Sequence, residues 1–85
     1  MFIVYILHSQ VVDEFYCGQT NDLQKRLLRH NSGETRSSKH GIPWNVVGYL
    51  SFETRSEAMN LEKAIKKRGI KRWLEQNQFL LVQAR

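Results

Sequence analysis

The stretch FYCGQTNDLQKRLLRH, Phe15 to His30, decides how this chain folds. It opens on a short apolar run, FYC, closed by Gly18, and passes through polar residues into LQKRLLRH. Thr20, Asn21 and Asp22 are N-cap candidates, because their side-chain oxygens accept backbone N–H groups that a helix start leaves free. Leu23, Leu27 and Leu28 then recur at amphipathic-helix spacing, and Asn31 and Gly33 mark its end. The stretch reads as a strand turning into a helix. At about 100° per residue, Leu23 and Leu27 set a buried stripe, with Arg26 and His30 one turn apart on its flank. Lys25 and Arg29 point outward. Long basic stems can also cover apolar area while their tips stay wet, so the rest of the chain has to decide what Arg26 and His30 are for.

Upstream, Phe2 to Leu7 is apolar on both faces, the pattern of a central strand covered on both sides. HSQVVDE then connects it to FYC as a hairpin loop of about six residues. Downstream, SGETRSSKHGIP is a polar loop. Trp44, Val46, Gly48, Leu50 and Phe52 alternate with Asn45, Val47, Tyr49 and Ser51, which predicts a third strand with one buried face. Thr54, Ser56 and Glu57 open a second helix, with Ala58, Leu61 and Ile65 at helical spacing. Gly69 interrupts it, and Lys71 to Gln78 forms a third helix with Trp73 and Leu74 facing in. The last residues, FLLVQAR, fit either a helix end or a short strand. The order is β-β-α-β-α-α. It predicts an α+β fold, a small three-stranded antiparallel sheet flanked by helices, in one domain over residues 1–85.

Lys and Arg number 13 against 8 Asp and Glu, a formal charge of +5. That balance favours an anionic partner, nucleic acid ahead of membrane. MFIVYIL is too short to span a bilayer, and neither a basic stretch nor a cleavage site brackets it. Cys17 is alone, which excludes a disulfide or zinc framework and suits a reducing, cytoplasmic setting. Lys63, Lys66, Lys67, Arg68, Lys71 and Arg72 form a dense basic run, read as a phosphate-contacting surface or as a solvated helix face. Arg36, Lys39 and His40 add basic character to the loop before the third strand. Glu62 occupies a slot where the second helix's pattern expects an apolar residue. It is either a boundary carboxylate paired with Lys66 at i+4, worth a few tenths of a kcal/mol, or a functional group. His8 and His40 lack ligand-like spacing, so a histidine-held transition metal is not expected.

These residues together resemble the GIY-YIG nucleases. The family's first motif corresponds to IVY, Ile3 to Tyr5, and the second to YCG, Tyr16 to Gly18. Arg26 and His30 follow in the next helix, and Glu62 lies in LEKAIKK, which looks like the family's metal-ligand helix. FYCGQTNDLQKRL, HNSG and PW are similar to small stand-alone bacterial members, which look like the amino-terminal nuclease part of an excision-repair protein. Ile3 replaces the motif's first glycine, and Gln19 stands where the excision-repair relatives carry a lysine. Asn77 is the one candidate by order for a late asparagine that some relatives use.

The resemblance implies a DNA endonuclease of repair or processing. Glu62 would hold one Mg²⁺ or Mn²⁺, Arg26 would clamp the phosphate, and Tyr5 or Tyr16 would align or deprotonate the attacking water. His30 would take a proton from one tyrosine or hold it in place. Gly18 would let the backbone approach substrate or metal-bound water. Sequence preference would be weak or supplied by a partner. The competing expectation is a nucleic-acid-binding module that kept the fold and lost turnover, with Gln19 as its main support.

Overall fold

The computed structural model describes residues 1–83, and in it the chain runs β1 (Phe2–Ser9), β2 (Glu14–Thr20), α1 (Leu23–Asn31), β3 (Trp44–Phe52), α2 (Arg55–Arg68), α3 (Ile70–Asn77) and β4 (Val82–Gln83). Short 3₁₀ segments, Arg36–Gly41 and Gln78–Leu80, precede β3 and β4. The sheet is antiparallel, in the order β2-β1-β3-β4. β1 is central, as its apolar run predicts. Both strands of the hairpin are longer than FYC and FIVYIL suggest, and only residues 10–13 join them. The expected loop loses residues to β-pairing, since His8 pairs with Phe15 and Ser9 with Glu14.

The helix starts follow the capping chemistry. The Asp22 carboxylate accepts the Lys25 N–H at 3.1 Å, and the Thr54 hydroxyl accepts that of Glu57 at 3.2 Å. Such caps satisfy N–H groups that the first turn cannot pair internally. Leu28 does not join the α1 stripe. It is exposed, and the buried position one turn beyond Arg26 belongs to His30.

Each sheet face carries its own core. On one, Val4, Ile6 and Cys17 pack with Ala58 and Ile65 of α2 and with Trp73 and Leu74 of α3. On the other, Tyr5, Leu7 and Trp44 pack with Leu23 and Leu27 of α1. The alternation read along β3 breaks between them. Ile6 pairs with Gly48 but Leu7 pairs with Val46, so Val47 is the extra residue of a bulge. An inserted residue reverses which face each following side chain takes. Trp44 and Val46 therefore share a face with Tyr49, whereas Val47, Leu50 and Phe52 serve the opposite core.

The terminal stretch forms a turn followed by a strand. β4 pairs Val82 with Tyr49 and Gln83 with Gly48, which adds a fourth strand to the three expected. A side chain at Gly48 would collide with Leu81, whose Cβ would lie 2.9 Å away, so the glycine is what lets this segment approach. Ala84 and Arg85, the end of FLLVQAR, lie outside the described residues.

Candidate active site

The Tyr5 side chain projects from the centre of β1 into the α1 core and is wholly buried. Its hydroxyl lies 3.2 Å from His30 Nε2 and accepts a hydrogen bond from Arg26 Nε at 3.2 Å. His30 Nδ1 in turn stands 2.9 Å from Ser38 Oγ. Ser38 donates its hydroxyl proton to the Thr35 carbonyl, so its oxygen accepts from His30 Nδ1–H. Nε2 is then the acceptor, and Tyr5 donates to it. Every proton in the chain Arg26–Tyr5–His30–Ser38 has one consistent place.

The charges agree with that assignment. Burial, helped by the nearby Arg26 and Arg29 guanidiniums, pushes the His30 pKa down and keeps the ring neutral. Tyr5 feels opposing effects: burial raises its pKa and the Arg26 hydrogen bond lowers it, with burial the larger. Tyr5 is thus a neutral hydroxyl that orients its neighbours. The same contact favours the charged form of Arg26 and raises its pKa.

Gly18 pairs with Tyr5 across β1 and β2. A Cβ there would come within 2.7 Å of the Tyr5 hydroxyl oxygen, 2.9 Å of Tyr5 Cζ and 3.2 Å of Tyr16 Cε1. The room at Gly18 is taken by Tyr5. Tyr16 is half-buried beside it, with its ring centroid 6.3 Å from that of Tyr5 and 4.7 Å from that of His30. Tyr16, Gly18, Arg26 and His30 all gather around Tyr5.

Glu62 comes from the other side of the sheet. α2 packs on the opposite core, and the Glu62 carboxylate reaches the β2 edge, where Gln19 Nε2 donates to Oε1 at 3.2 Å. Lys66 Nζ donates to Oε2 at 2.6 Å, the i+4 pair that helical spacing allows. Gln19 also borders a cleft with Arg26, so the two candidate groups flank one residue of an edge strand.

A family model described as the GIY-YIG catalytic domain matches residues 1–76. The chain belongs to the GIY-YIG family. It is similar to a UPF0213 protein of Lactococcus lactis subsp. cremoris, 38% identical over 60 residues, which covers 68% of this chain and 59% of that protein. UPF0213 protein YsiG of Lactococcus lactis subsp. lactis is 38% identical over 63 residues, 72% of this chain and 59% of its own length. A UPF0213 protein of Streptococcus pyogenes serotype M3 is 36% identical over 66 residues, 75% of this chain and 72% of its own. The chain thus spans less than two thirds of the two Lactococcus relatives.

In this GIY-YIG chain the two motifs lie side by side, since Tyr5 pairs with Gly18 and Leu7 with Tyr16. The six basic residues are all exposed and line more than one cleft. Lys63 and Lys66 border the Glu62 cleft with Gln19 and Met59. Lys67, Arg68 and Arg72 line a separate groove with Trp73 and Asn77. Lys71 shares a further groove with Arg68 and Arg72 and lies near Asp13 of the β1–β2 turn, whose carboxyl is held down first by its hydrogen bond to His8 and less by Lys71. Asn77 is occupied in α3, donating to the Trp73 carbonyl at 3.1 Å. Among the described residues no three His, Cys, Asp or Glu side chains gather, and no helix is long and apolar enough to cross a membrane.

Two neighbours of the candidate groups are hard to find from sequence. Ser38 sits in a serine-containing polar loop with nothing to mark it. Gln19 reads there only as a lost lysine, not as a partner for Glu62.

Proposed function

We propose that this protein is a divalent-metal-dependent endonuclease that hydrolyses phosphodiester bonds in DNA. The observation that carries the reading is the Arg26–Tyr5–His30–Ser38 chain. It fixes the Nε of an arginine that lines one cleft, and Gln19 joins that cleft to a neighbouring one lined by Glu62. A solvated surface arginine needs no such support.

The Glu62 donor set fits a hydrated Mg²⁺ or Mn²⁺. A carboxylate offers about four lone-pair sites, and Gln19 and Lys66 take two of them. Mg²⁺ keeps several waters and often needs only one or two carboxylates plus substrate phosphates. When bound at Glu62, the ion supplies Lewis acidity for the charge that develops on phosphate and leaving oxygen.

The protein's own groups do the rest. Arg26 presents its remaining N–H fork to the phosphate oxygens, where donors placed in advance stabilise the transition state best. Tyr16, half-buried at the site's margin, orients the water that attacks phosphorus. Tyr5, His30 and Ser38 hold Arg26 in place. Lys63 and Lys66 attract the strand, and sequence preference is weak or set by a partner. Repair or processing of DNA in a reducing cytoplasm fits this chemistry and the buried Cys17, whose thiol burial pushes up to about 12.

The test is incubation with plasmid and oligonucleotide DNA in Mg²⁺ or Mn²⁺. Nicks or cuts appear and EDTA stops them. Glu62→Gln abolishes them, and Arg26→Ala reduces the rate by about 10²-fold or more. Cutting that survives Glu62→Gln refutes the mechanism. A second reading, a binding module without turnover, is favoured by the engagement of both Glu62 oxygens by Gln19 and Lys66. It expects salt-sensitive DNA association with no metal-dependent product from duplex, branched or single-stranded substrates.

A further inference from the structure

Arg55 is the first residue of α2, and its guanidinium carbon lies 5.6 Å from the centre of the Phe2 ring. That stacking distance suits a cation–π contact and gives an exposed arginine a defined place. Phe2 and Arg55 line one cleft with Arg26, Gln19, Thr20 and Asn21, and no acidic side chain lines it. Among the described residues neither arginine forms an ion pair; the pairs present join His8 to Asp13, Arg29 to Glu34, His40 to Glu14 and Lys66 to Glu62. Two guanidiniums without a carboxylate partner on one cleft suit a polyanionic strand, whose successive phosphates can take one each.

Helix geometry separates this cleft from the metal position. Arg55, Met59, Glu62, Lys63 and Lys66 are spaced i, i+4, i+7, i+8 and i+11, so they lie along one face of α2. Arg55 and Glu62 stand two turns apart, about 10 Å along the axis. The Arg55 cleft and the Glu62 cleft share only Gln19 among their lining residues, so the two side chains front different parts of a bound strand. We propose that the Arg55 end of this cleft seats a second, flanking phosphate of the strand being cut, next to the one that Arg26 clamps, so that α2 acts as a ruler with Arg55 anchoring one end of the strand. The seat takes a phosphodiester by charge and by forked N–H donors, with no demand on base identity. Arg55 is a binding residue: it sets which linkage is presented to Glu62 and touches no reacting atom. The inference rests on the endonuclease reading for the identity of the ligand as a DNA strand.

Two readouts test it. The first is DNA binding in EDTA over a range of salt concentrations, with the parent, Arg55→Ala and Arg55→Lys. Losing one phosphate contact lowers the slope of log K against log salt by about 0.9 on duplex DNA, so Arg55→Ala shows that drop and Arg55→Lys keeps most of the slope. An unchanged slope in Arg55→Ala overturns the proposal. The second is cutting of oligonucleotides that carry a single uncharged methylphosphonate linkage at successive positions. The parent loses cutting when a flanking linkage is neutral as well as when the cut linkage is. In Arg55→Ala the flanking interference disappears and the interference at the cut linkage stays. Equal loss at every linkage, or loss confined to the cut linkage, overturns the seat while leaving the endonuclease reading intact. If no substrate is cut, the endonuclease reading fails and the salt slope alone decides whether Arg55 holds a phosphate.

Discussion

Replacing Gly18 with alanine separates two roles for that residue. The backbone at Gly18 lies outside the left-handed region, so any cost of a methyl group is steric. The new Cβ would stand 2.7 Å from the Tyr5 hydroxyl oxygen and 2.9 Å from Cζ, against the 3.4 Å at which ordinary contacts begin. Tyr5 has nowhere easy to go: it is fully buried, on the central strand, and hydrogen-bonded to Arg26 and His30 at 3.2 Å each. Overpacking a core by one methyl costs about 1–3 kcal/mol. For a domain of this size each kcal/mol lowers the thermal midpoint by about 4–8 °C. Gly18→Ala should show that loss in thermal or urea unfolding, and its cutting rate should fall further than the folded fraction explains, because Arg26 loses its tether. Tyr5→Phe removes the nearest clashing atom, so the double variant should be more stable than the sum of the two single losses implies. If Gly18 instead serves close approach of a ligand, alanine leaves the unfolding midpoint unchanged and impairs only binding and cutting. That outcome would refute the packing argument.

Other expectations follow from the same contacts. Ile65→Ala, in a fully buried position, should cost about 2–5 kcal/mol in urea unfolding, and Glu62→Gln should cost far less while ending cutting; equal losses would make Glu62 structural. Because burial lowers the His30 pKa, its contribution to stability is full above the ordinary imidazole value of 6.5 and is lost as the pH falls from there through the lower folded value. His30→Gln should therefore flatten the acid side of the stability–pH curve, and an unchanged acid slope would show that another group titrates there. Tyr16→Phe should slow cutting by about 10²-fold with a near-parental unfolding midpoint, whereas a large loss of stability would make Tyr16 a packing residue.

Legibility in the sequence follows the reach of each interaction. Helix caps, the break at Gly69 and the inward Trp73 and Leu74 depend on neighbours within a turn or two, and spacing alone exposes them. The central place of β1 is readable because a strand covered on both faces must be apolar on both. The bulge at Val47 is not, since the register depends on what β1 offers across the sheet. Arg26 and His30 are visible as polar residues flanking a helix stripe, but the depth of His30 is not. Its burial requires Ser38, which the chain brings back from eight positions away to satisfy Nδ1. The same holds for Gly18: flexibility is what a glycine suggests in sequence, and only the partner strand shows that Tyr5 fills the space. Glu62 stands out because an apolar pattern is interrupted, yet its contact with Gln19 joins residues 43 positions apart.

The placement of Arg26 and Glu62 on opposite sheet faces has a mechanical consequence. Neither helix alone sets the distance between the two groups. α1 docks on the core of Tyr5, Leu7 and Trp44, and α2 docks on that of Val4, Ile6 and Cys17. Their common reference is the sheet itself, through neighbouring residues of β1 and the Gly18–Gln19 pair of β2. Gly18 faces the Tyr5 side and Gln19 the Glu62 side, because successive strand residues alternate. A shift of either helix changes one half of the site relative to this edge, and a shift of the edge strand changes both. Small packing defects in either core should therefore displace the Arg26 or the Glu62 half of this arrangement. In the proposed endonuclease, a displacement of about 1 Å at either group would cost rate steeply. The short 9-residue α1, pinned at its end by Asn31 to the Trp44 backbone at 2.6 and 3.0 Å, supplies the stiffness that the Arg26 half requires.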